Sequence, residues 1–195
     1  MKQVSIHRRE IPGERFPIFD EVPAALARIY AARGIQSKEQ LGRNLKELLP
    51  DTEMKGMTAA VSRLVQAIRA NESIMIVGDF DCDGATSTAL AVLGLRMMGA
   101  TNVDYLVPNR FEYGYGLSPE IVEVAFSQSP HLLVTVDNGI SSVEGVARAN
   151  QLGMDVVVTD HHLAGRIIPH AVAIVNPNQP GCDFKAKSTC GVGVI

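Results

Sequence analysis

The sequence predicts an α/β protein, and two observations support that fold class. From residue 74 onward, short apolar runs alternate with helical stretches, which is the pattern of right-handed βαβ units. Most of these runs carry hydrophobic residues at consecutive positions, as strands buried on both faces do. We therefore expect a Rossmann-like, mostly parallel sheet of about five strands flanked by helices, preceded by a small helical N-terminal segment.

The N-terminal segment, residues 1–71, has the periodicity of helices. Apolar residues recur at helical spacing over 23–30 and over 57–70, and a further helix is expected over 37–49. Gly34 and Pro50 are expected to end two of these helices. Because no chemistry-bearing motif falls here, we expect residues 1–71 to be a helical cap or docking segment and residues 72–195 to form the functional domain.

The region from residue 74 onward is expected to contain five strands separated by helices or loops. The strands are predicted at 74–77, 103–107, 132–136, 156–159 and 171–175, and the helices at 85–98, 119–127 and 142–152. Polar residues follow every strand: Asp79, Pro108-Asn109-Arg110, Asp137-Asn138-Gly139, Asp160-His161-His162 and Asn176-Pro177-Asn178. Because open α/β sheets bind ligands outside the carboxyl ends of their strands, these residues predict one site at that edge.

Three of these strand ends predict a site for divalent metal ions. They carry Asp79-Phe80-Asp81-Cys82-Asp83-Gly84, Asp137-Asn138-Gly139 and Asp160-His161-His162. Mg²⁺ and Mn²⁺ prefer oxygen ligands, and an imidazole favours Mn²⁺ over Ca²⁺. Two ions roughly 4 Å apart can generate a hydroxide nucleophile and neutralise the leaving oxygen in phosphodiester hydrolysis. Asp137, on the middle one of the three acidic strands, is the expected bridging carboxylate.

Three other interpretations of the acidic cluster are less favoured. A calcium-binding EF-hand loop starting at Asp79 would need a bidentate Glu where Leu90 stands, and would follow a helix instead of a strand. An aspartyl-phosphate phosphatase of the haloacid dehalogenase type would use Asp81 but would assign no role to the Asp-His-His run. Aspartates that merely cap turns would place three carboxylates within five residues, where they repel one another without a cation.

Composition bounds the partners and the compartment. The formal net charge is -3, but five acids belong to the predicted site, so the rest of the chain sums to +2 (-3 plus 5) and charge does not exclude a nucleic acid. The three cysteines form no CxxC pair, which favours a reducing cytoplasm over a disulfide framework. No apolar run approaches the roughly 20 residues that span a bilayer, so no membrane association is expected.

The acidic motifs resemble motifs I, II and III of the DHH phosphoesterase superfamily. Within it, the stretches 107–118, 176–178 and 191–194 resemble the RecJ-type family of single-stranded-DNA-specific exonucleases. The resemblance implies a 5′-to-3′ exonuclease that uses two Mn²⁺ or Mg²⁺ ions in DNA repair and recombination. Single-stranded DNA is the expected partner, repair proteins are further candidates, and a monomer is the expected state.

The resemblance also assigns roles to individual residues. Metal ligands are implied at Asp81, Asp83, Asp137 and His161, with Asp79 and Asp160 supporting or sharing that role. His162 is expected to contact the scissile phosphate, so His162 and Asp160 form the expected catalytic pair. Arg110, Tyr115 and Asn138 are expected to bind the substrate.

The resemblance further implies parts that these 195 residues do not contain. They are a fourth motif whose Asp completes the metal site, a second domain and an OB-fold, so residues 72–195 are expected to be a DHH phosphoesterase domain that is incomplete at its C-terminus. A family II pyrophosphatase is disfavoured because it needs a His where Val77 stands. Two alternatives stay open: an inactive fragment that binds metal or a partner, and another DHH phosphodiesterase that acts on short oligonucleotides.

Overall fold

The computed structural model describes residues 5, 7, 22–42 and 44–195, which divide into two compact units, Met1–Leu49 and Pro50–Ile195. In its described residues, the first unit contains helix α1 (Ala24–Ala32) and two 3₁₀ turns, Lys38–Leu41 and Leu45–Glu47. The single helix predicted over 37–49 is therefore wrong. Gly42 has extended backbone angles (φ -59°, ψ 148°), which end the first turn and prevent a continuous helix.

The second unit contains five strands and six helices in its described residues. In chain order they are a 3₁₀ turn (Asp51–Glu53), α2 (Met57–Arg69), β1 (Ile74–Val77), α3 (Cys82–Met97), β2 (Val103–Leu106), α4 (Arg110–Tyr113), α5 (Pro119–Phe126), β3 (Leu132–Val136), α6 (Val143–Gln151), β4 (Asp155–Thr159), β5 (Ala173–Val175) and α7 (Gly191–Val194). The predicted fold class is confirmed. Among the helices that the structure describes, none is long and apolar enough to cross a membrane.

All five strands are parallel and lie in the order β2-β1-β3-β4-β5. The order reverses direction between β1 and β3, so the chain leaves these neighbouring strands toward opposite sides of the sheet. In doubly wound sheets this reversal opens a crevice at the carboxyl ends of the two strands. The expected site therefore falls where β1 and β3 end.

Helices cover both faces of the sheet, and alternate residues of β1 pack into different cores. Ile74 and Ile76 belong to the cluster that includes α2 and α3, whereas Met75 and Val77 belong to the cluster that includes α5 and α6. Burying one such side chain contributes roughly 1.5 to 3 kcal/mol. Strand β2 departs from the expected two-sided burial because it is an edge strand with one neighbour, and its Tyr105 is exposed.

Helix α2 belongs to the α/β unit. Its residues Ala60 and Ala67 are buried in the core that also contains Ile74 of β1. The boundary between the compact units therefore lies at residues 49 and 50, whereas the sequence predicted a domain boundary at residues 71 and 72. The amphipathic pattern of α2 showed that one face is buried but could not show what buries it. As a division into domains, the boundary stays a prediction.

Candidate metal centre

The candidate site lies at the carboxyl edge of the sheet, where β1, β3 and β4 end side by side. Asp137 follows the last residue of β3 directly, and Asp160 follows the last residue of β4. The prediction that Asp137 follows the middle one of the three acidic strands is confirmed. Two groups of side chains each bring their ligand atoms within 4.8 Å of one another: Asp79, Asp81 and Asp137, and Asp137, His161 and His162. Asp137 is common to both groups.

Asp137 is a buried carboxylate whose charge is poorly compensated. Its side chain is only 2% exposed, and its backbone has a left-handed φ of +62°, which aspartate tolerates better than most residues. His161 Nε2 lies 3.0 Å from Asp137 Oδ1, but the two groups are not aligned as a hydrogen bond, and this oxygen has no hydrogen-bond partner among the described residues. Burial, together with the charges of Asp83 and Asp81, raises the pKa of Asp137 to about 6. A bound cation would compensate the negative charge of Asp137.

Asp81 and Asp83 stand at the start of α3. The Asp81 carboxylate caps this helix by accepting the backbone N–H of Gly84 at 2.9 Å. Asp83 Oδ2 lies 3.6 Å from His161 Nε2, so Asp83 borders the same cluster as Asp137. Capping, the structural interpretation of these aspartates, therefore applies to Asp81, but it does not explain why three carboxylates converge here.

Helix α7 closes the site through backbone groups that sequence reasoning missed. The N–H of Gly191 donates to Asp83 Oδ2 at 2.6 Å, and the N–H of Val192 donates to Asp83 Oδ1 at 2.8 Å. A Cβ at residue 191 would lie 2.7 Å from Asp137 Oδ1, so the close approach requires glycine. The alternation of glycine and valine over 191–194 was the available signal, but it does not reveal which residue the chain approaches.

The carboxylate of Asp160 orients the histidine segment by accepting hydrogen bonds on both of its oxygens. Its Oδ2 accepts the N–H of Ile140 at 2.9 Å, and its Oδ1 accepts the N–H groups of His161 at 2.7 Å and His162 at 3.1 Å. His162 Nδ1–H also donates to Oδ1, at 2.8 Å. Burial alone would lower the pKa of His162, but the hydrogen bond and the negative charge of Asp160 outweigh it and raise that pKa above its ordinary value.

Two asparagines after β5 hold the backbone of the same segment. Asn176 Nδ2 donates to the carbonyl of His162 at 3.0 Å, and Asn178 Nδ2 donates to the carbonyl of His161 at 2.5 Å. The Asn178 N–H in turn donates to Asn176 Oδ1 at 2.7 Å. The sequence placed these asparagines at the site edge, but their supporting contact with the histidines emerges only from the fold.

Arg110 lies against Asp79 in the structure. Its Nη2 donates to both oxygens of Asp79, at 2.9 Å each. Its guanidinium carbon lies 3.7 Å from the centre of the Phe80 ring and 5.2 Å from the centre of the Tyr115 ring. The loop after β2 therefore returns to the end of β1 and brings a cation to the rim of the carboxylate cluster.

Tyr115 connects that loop to the centre of the site. Its hydroxyl donates to the backbone carbonyl of Asp137 at 3.1 Å and lies 3.3 Å from His162 Nδ1. Burial and the neighbouring carboxylates raise the pKa of Tyr115, so it remains a neutral hydrogen-bonding group. A cleft of about 350 Å³ opens beside Tyr115 and His162 and reaches the first turns of α5 and α6.

Asn138 is buried below the site. Its Nδ2 donates to the carbonyl of Val77 at 3.1 Å and to the carbonyl of Val136 at 3.0 Å, which ties the end of β1 to the end of β3. The structure thus places Asn138 where it stabilises the crevice between the two strands. Its predicted contact with the substrate stays a prediction.

Comparison with known proteins identifies the family and sequence relatives of this chain. The family model described as the DHH family, N-terminal domain, matches residues 73–195. The single-stranded-DNA-specific exonuclease RecJ of Escherichia coli (strain K12) is 52% identical over 193 residues, which cover 99% of this chain and 33% of that protein. The corresponding exonuclease of Thermus thermophilus is 38% identical over 174 residues, 89% of this chain and 25% of that protein.

Solved structures give the same result. Exonuclease RecJ bound to manganese matches with a TM-score of 0.68 and 36% identity, over 75% of this chain and 37% of that one. RecJ of Thermus thermophilus in complex with Mn²⁺ matches with a TM-score of 0.66 and 34% identity, over 89% of this chain and 24% of that one. This chain spans about a third of the length of the Escherichia coli relative. The family match, with the family's motifs at the ends of β1, β3 and β4, shows that the chain belongs to the DHH family.

Proposed function

We propose that this chain is the DHH portion of an exonuclease that hydrolyses single-stranded DNA from its 5′ end with two Mn²⁺ or Mg²⁺ ions. The observation that carries the proposal is the buried Oδ1 of Asp137, which has no hydrogen-bond partner in the described part of the chain and lies among other carboxylates and imidazoles. Relatives that are 52% and 38% identical are named single-stranded-DNA-specific exonucleases, and solved relatives contain manganese.

The residues fit the proposed ions. Asp81, Asp83, Asp137 and His161 supply carboxylate oxygens and one imidazole, which is a donor set that Mn²⁺ accepts. Asp137 is the proposed bridging ligand because it belongs to both groups of converging side chains. Bound ions would lower the pKa of a water molecule and neutralise the leaving oxygen.

His162 and Asp160 are the proposed catalytic pair. Asp160 accepts a hydrogen bond from Nδ1 of the His162 ring at 2.8 Å, which orients the ring, and we propose that Nε2, which lies 3.4 Å from the Tyr115 hydroxyl, donates to the scissile phosphate. The Asp160 carboxylate itself already accepts four hydrogen bonds, so we propose that it orients His162 instead of binding a metal ion.

Arg110, Phe80 and Tyr115 are the proposed contacts for the DNA strand. A guanidinium group pairs with a phosphate, and exposed aromatic rings stack on bases without strong sequence preference. Phe80 and Tyr115 are both about half exposed, and their ring centres lie 3.7 Å and 5.2 Å from the guanidinium carbon of Arg110. The cleft beside His162 is also lined by Tyr115 and has the size of a small ligand site.

The wider assignments rest on the family and on the named relatives. We propose action in DNA repair and recombination, a cytoplasmic location, a monomeric state and repair proteins as further partners. Each of these assignments concerns a whole protein and not this stretch alone. The Escherichia coli relative is about three times as long as this chain.

Incubating the purified chain with Mn²⁺ and 5′-labelled single-stranded DNA tests the proposal, with Asp137→Ala as the matched control. We expect the native chain to release labelled mononucleotides and the variant to release none. Equal release by both proteins would identify a contaminating nuclease and contradict the proposal. If the native chain binds Mn²⁺ but cleaves nothing, the chain is a metal-binding fragment. Cleavage of dinucleotides alone would instead identify a phosphodiesterase of short oligonucleotides.

A further inference from the structure

We propose that Asp79 is a positioning residue that holds Arg110 for a DNA phosphate and is not a ligand of the metal ions. The inference rests on the proposed function for the identity of the substrate. It divides the acidic cluster into two parts, since Asp79 would form an ion pair with Arg110 and Asp137 would bind a metal ion.

The carboxylate of Asp79 is already neutralised. Both of its oxygens accept Arg110 Nη2 at 2.9 Å, and Oδ1 also accepts the N–H of Phe80 at 2.7 Å. Asp79 is buried, so the guanidinium group is a stronger partner there than it would be in water. Asp137 differs, because its Oδ1 has no hydrogen-bond partner among the described residues.

Proximity alone would allow Asp79 to join Asp81 and Asp137 around an ion, since their ligand atoms lie within 4.8 Å of one another. An ion bound by Asp79 would have to displace Arg110 or share the carboxylate with it. Displacement breaks the ion pair between Arg110 and Asp79, and sharing puts two cations side by side, so each arrangement costs free energy. Asp81 and Asp137 carry no such competitor, because in the described part of the chain neither forms an ion pair with a lysine or arginine.

Arg110 is held in a way that leaves donors available. Its guanidinium group lies over the Phe80 ring, which fixes its plane, while Nη2 is directed to Asp79. Among the described residues Arg110 bonds to no other acceptor, so the N–H of Nε and the N–H groups of Nη1 remain free to donate to phosphate oxygens. The side chain is 41% exposed, so DNA can reach it.

The contact between Asp79 and Arg110 forms because the two residues follow adjacent, paired strands. Asp79 follows β1, and Arg110 begins α4 four residues after the end of β2, the strand that pairs with β1. Asn109 caps α4 by accepting the N–H of Phe111 at 3.1 Å, which sets the first turn from which Arg110 projects. Asp79 therefore anchors the loop after β2 to the rim of the metal centre.

Titration calorimetry with Mn²⁺ tests the first half of the inference. We expect Asp79→Asn to change the dissociation constant by less than about threefold, and Asp81→Asn, the matched control at a proposed ligand, to weaken it by at least about tenfold. Circular dichroism checks that both variants are folded. A loss of Mn²⁺ affinity in Asp79→Asn equal to that in Asp81→Asn would overturn the inference.

A double-mutant cycle tests the second half, by fluorescence anisotropy of a 5′-phosphorylated single-stranded oligonucleotide in EDTA, where no cleavage occurs. We expect Asp79→Asn and Arg110→Ala each to weaken DNA binding by roughly tenfold, as the loss of one charge-assisted contact does. The double variant should bind no more weakly than Arg110→Ala alone. If Asp79 acted only through its negative charge, Asp79→Asn would bind DNA more tightly, and that result would overturn the inference.

The exposed ion pair of Arg148 and Glu123, with 2.6 Å between Nε and Oε1, is the control for this cycle. Glu123→Gln and Arg148→Ala should leave oligonucleotide affinity within about twofold of the native value. Additive losses for Asp79→Asn and Arg110→Ala in a chain that binds DNA would overturn only the role of Asp79. A native chain that binds no single-stranded DNA would overturn the proposed function, and with it the DNA half of this inference.

Discussion

At the amino edge of the sheet, Arg63 of α2 donates to Glu72 and to Asp155, with donor–acceptor distances of 2.6 Å in both bonds. At the carboxyl edge, Asp81, Asp83 and Asp137 converge, and in the described part of the chain no lysine or arginine forms an ion pair with them. Both edges gather acidic residues. The protein pairs the first set with its own arginine, whereas the second set has no such partner among the described residues.

The difference separates stability from function within one sheet. A paired set of charges holds α2 to the starts of β1 and β4, whereas a set that is left unpaired costs folding free energy. Proteins retain such costs at sites that bind ligands, because the ligand supplies the missing charge. Substitutions at the carboxyl edge should therefore change metal affinity most strongly, whereas substitutions at the amino edge should change the free energy of unfolding.

The largest expected effect is on metal binding at the carboxyl edge. Asp137→Asn should weaken Mn²⁺ binding at least about 100-fold, because it removes the proposed bridging charge. Titration calorimetry measures this, with Asp155→Asn at the amino edge as the matched control, which should retain native affinity. Equal affinity of Asp137→Asn and the native chain would contradict the ligand assignment.

The second effect is on stability at the amino edge. Arg63→Ala should lower the free energy of unfolding by about 2 to 3 kcal/mol, because Arg63 is 8% exposed and its removal leaves Glu72 and Asp155 unpaired. Denaturant unfolding measures this loss. Arg148→Ala, which breaks an exposed ion pair, should cost less than about 1 kcal/mol. A loss no larger than that of Arg148→Ala would show that the Arg63 network contributes little.

The smallest effect is a gain in stability at the carboxyl edge. Burial and nearby carboxylates raise the pKa of Asp137 from its ordinary value of 3.8 to about 6 in the folded state, so the folded chain binds an extra proton between these pH values. The stability that this proton provides is complete below about pH 4 and is lost as the pH rises through about 6. Asp137→Asn removes that loss and keeps a residue that tolerates φ of +62°.

Without metal, Asp137→Asn should therefore be more stable than the native chain at pH 7.5, by about 1 to 2 kcal/mol or roughly 2 to 6 °C in Tm. The advantage should shrink toward zero at pH 4. Thermal unfolding in EDTA at both pH values measures it. A Tm difference that does not change with pH would mean that the effect is one of packing and not of charge.

Local patterns predicted most of the fold. The boundaries of β1 and β3 match the predicted ones, because the apolar runs that define them end abruptly at polar residues. The single helix predicted over 37–49 was wrong because the conformation of Gly42 interrupts it. The edge at which the site forms was also predictable, since parallel strands bring their carboxyl ends together.

The residue types at the strand ends determined, by themselves, what chemistry this protein could support: oxygen and imidazole ligands for divalent ions. Only the tertiary structure decided which partners those carboxylates meet. Asp83 meets Gly191 across 108 residues, and Asp79 meets Arg110 across 31, contacts that no local spacing encodes. The physical reason is that the charge state and the availability of a carboxylate depend on burial and on its nearest partners, and both are set when distant segments pack together.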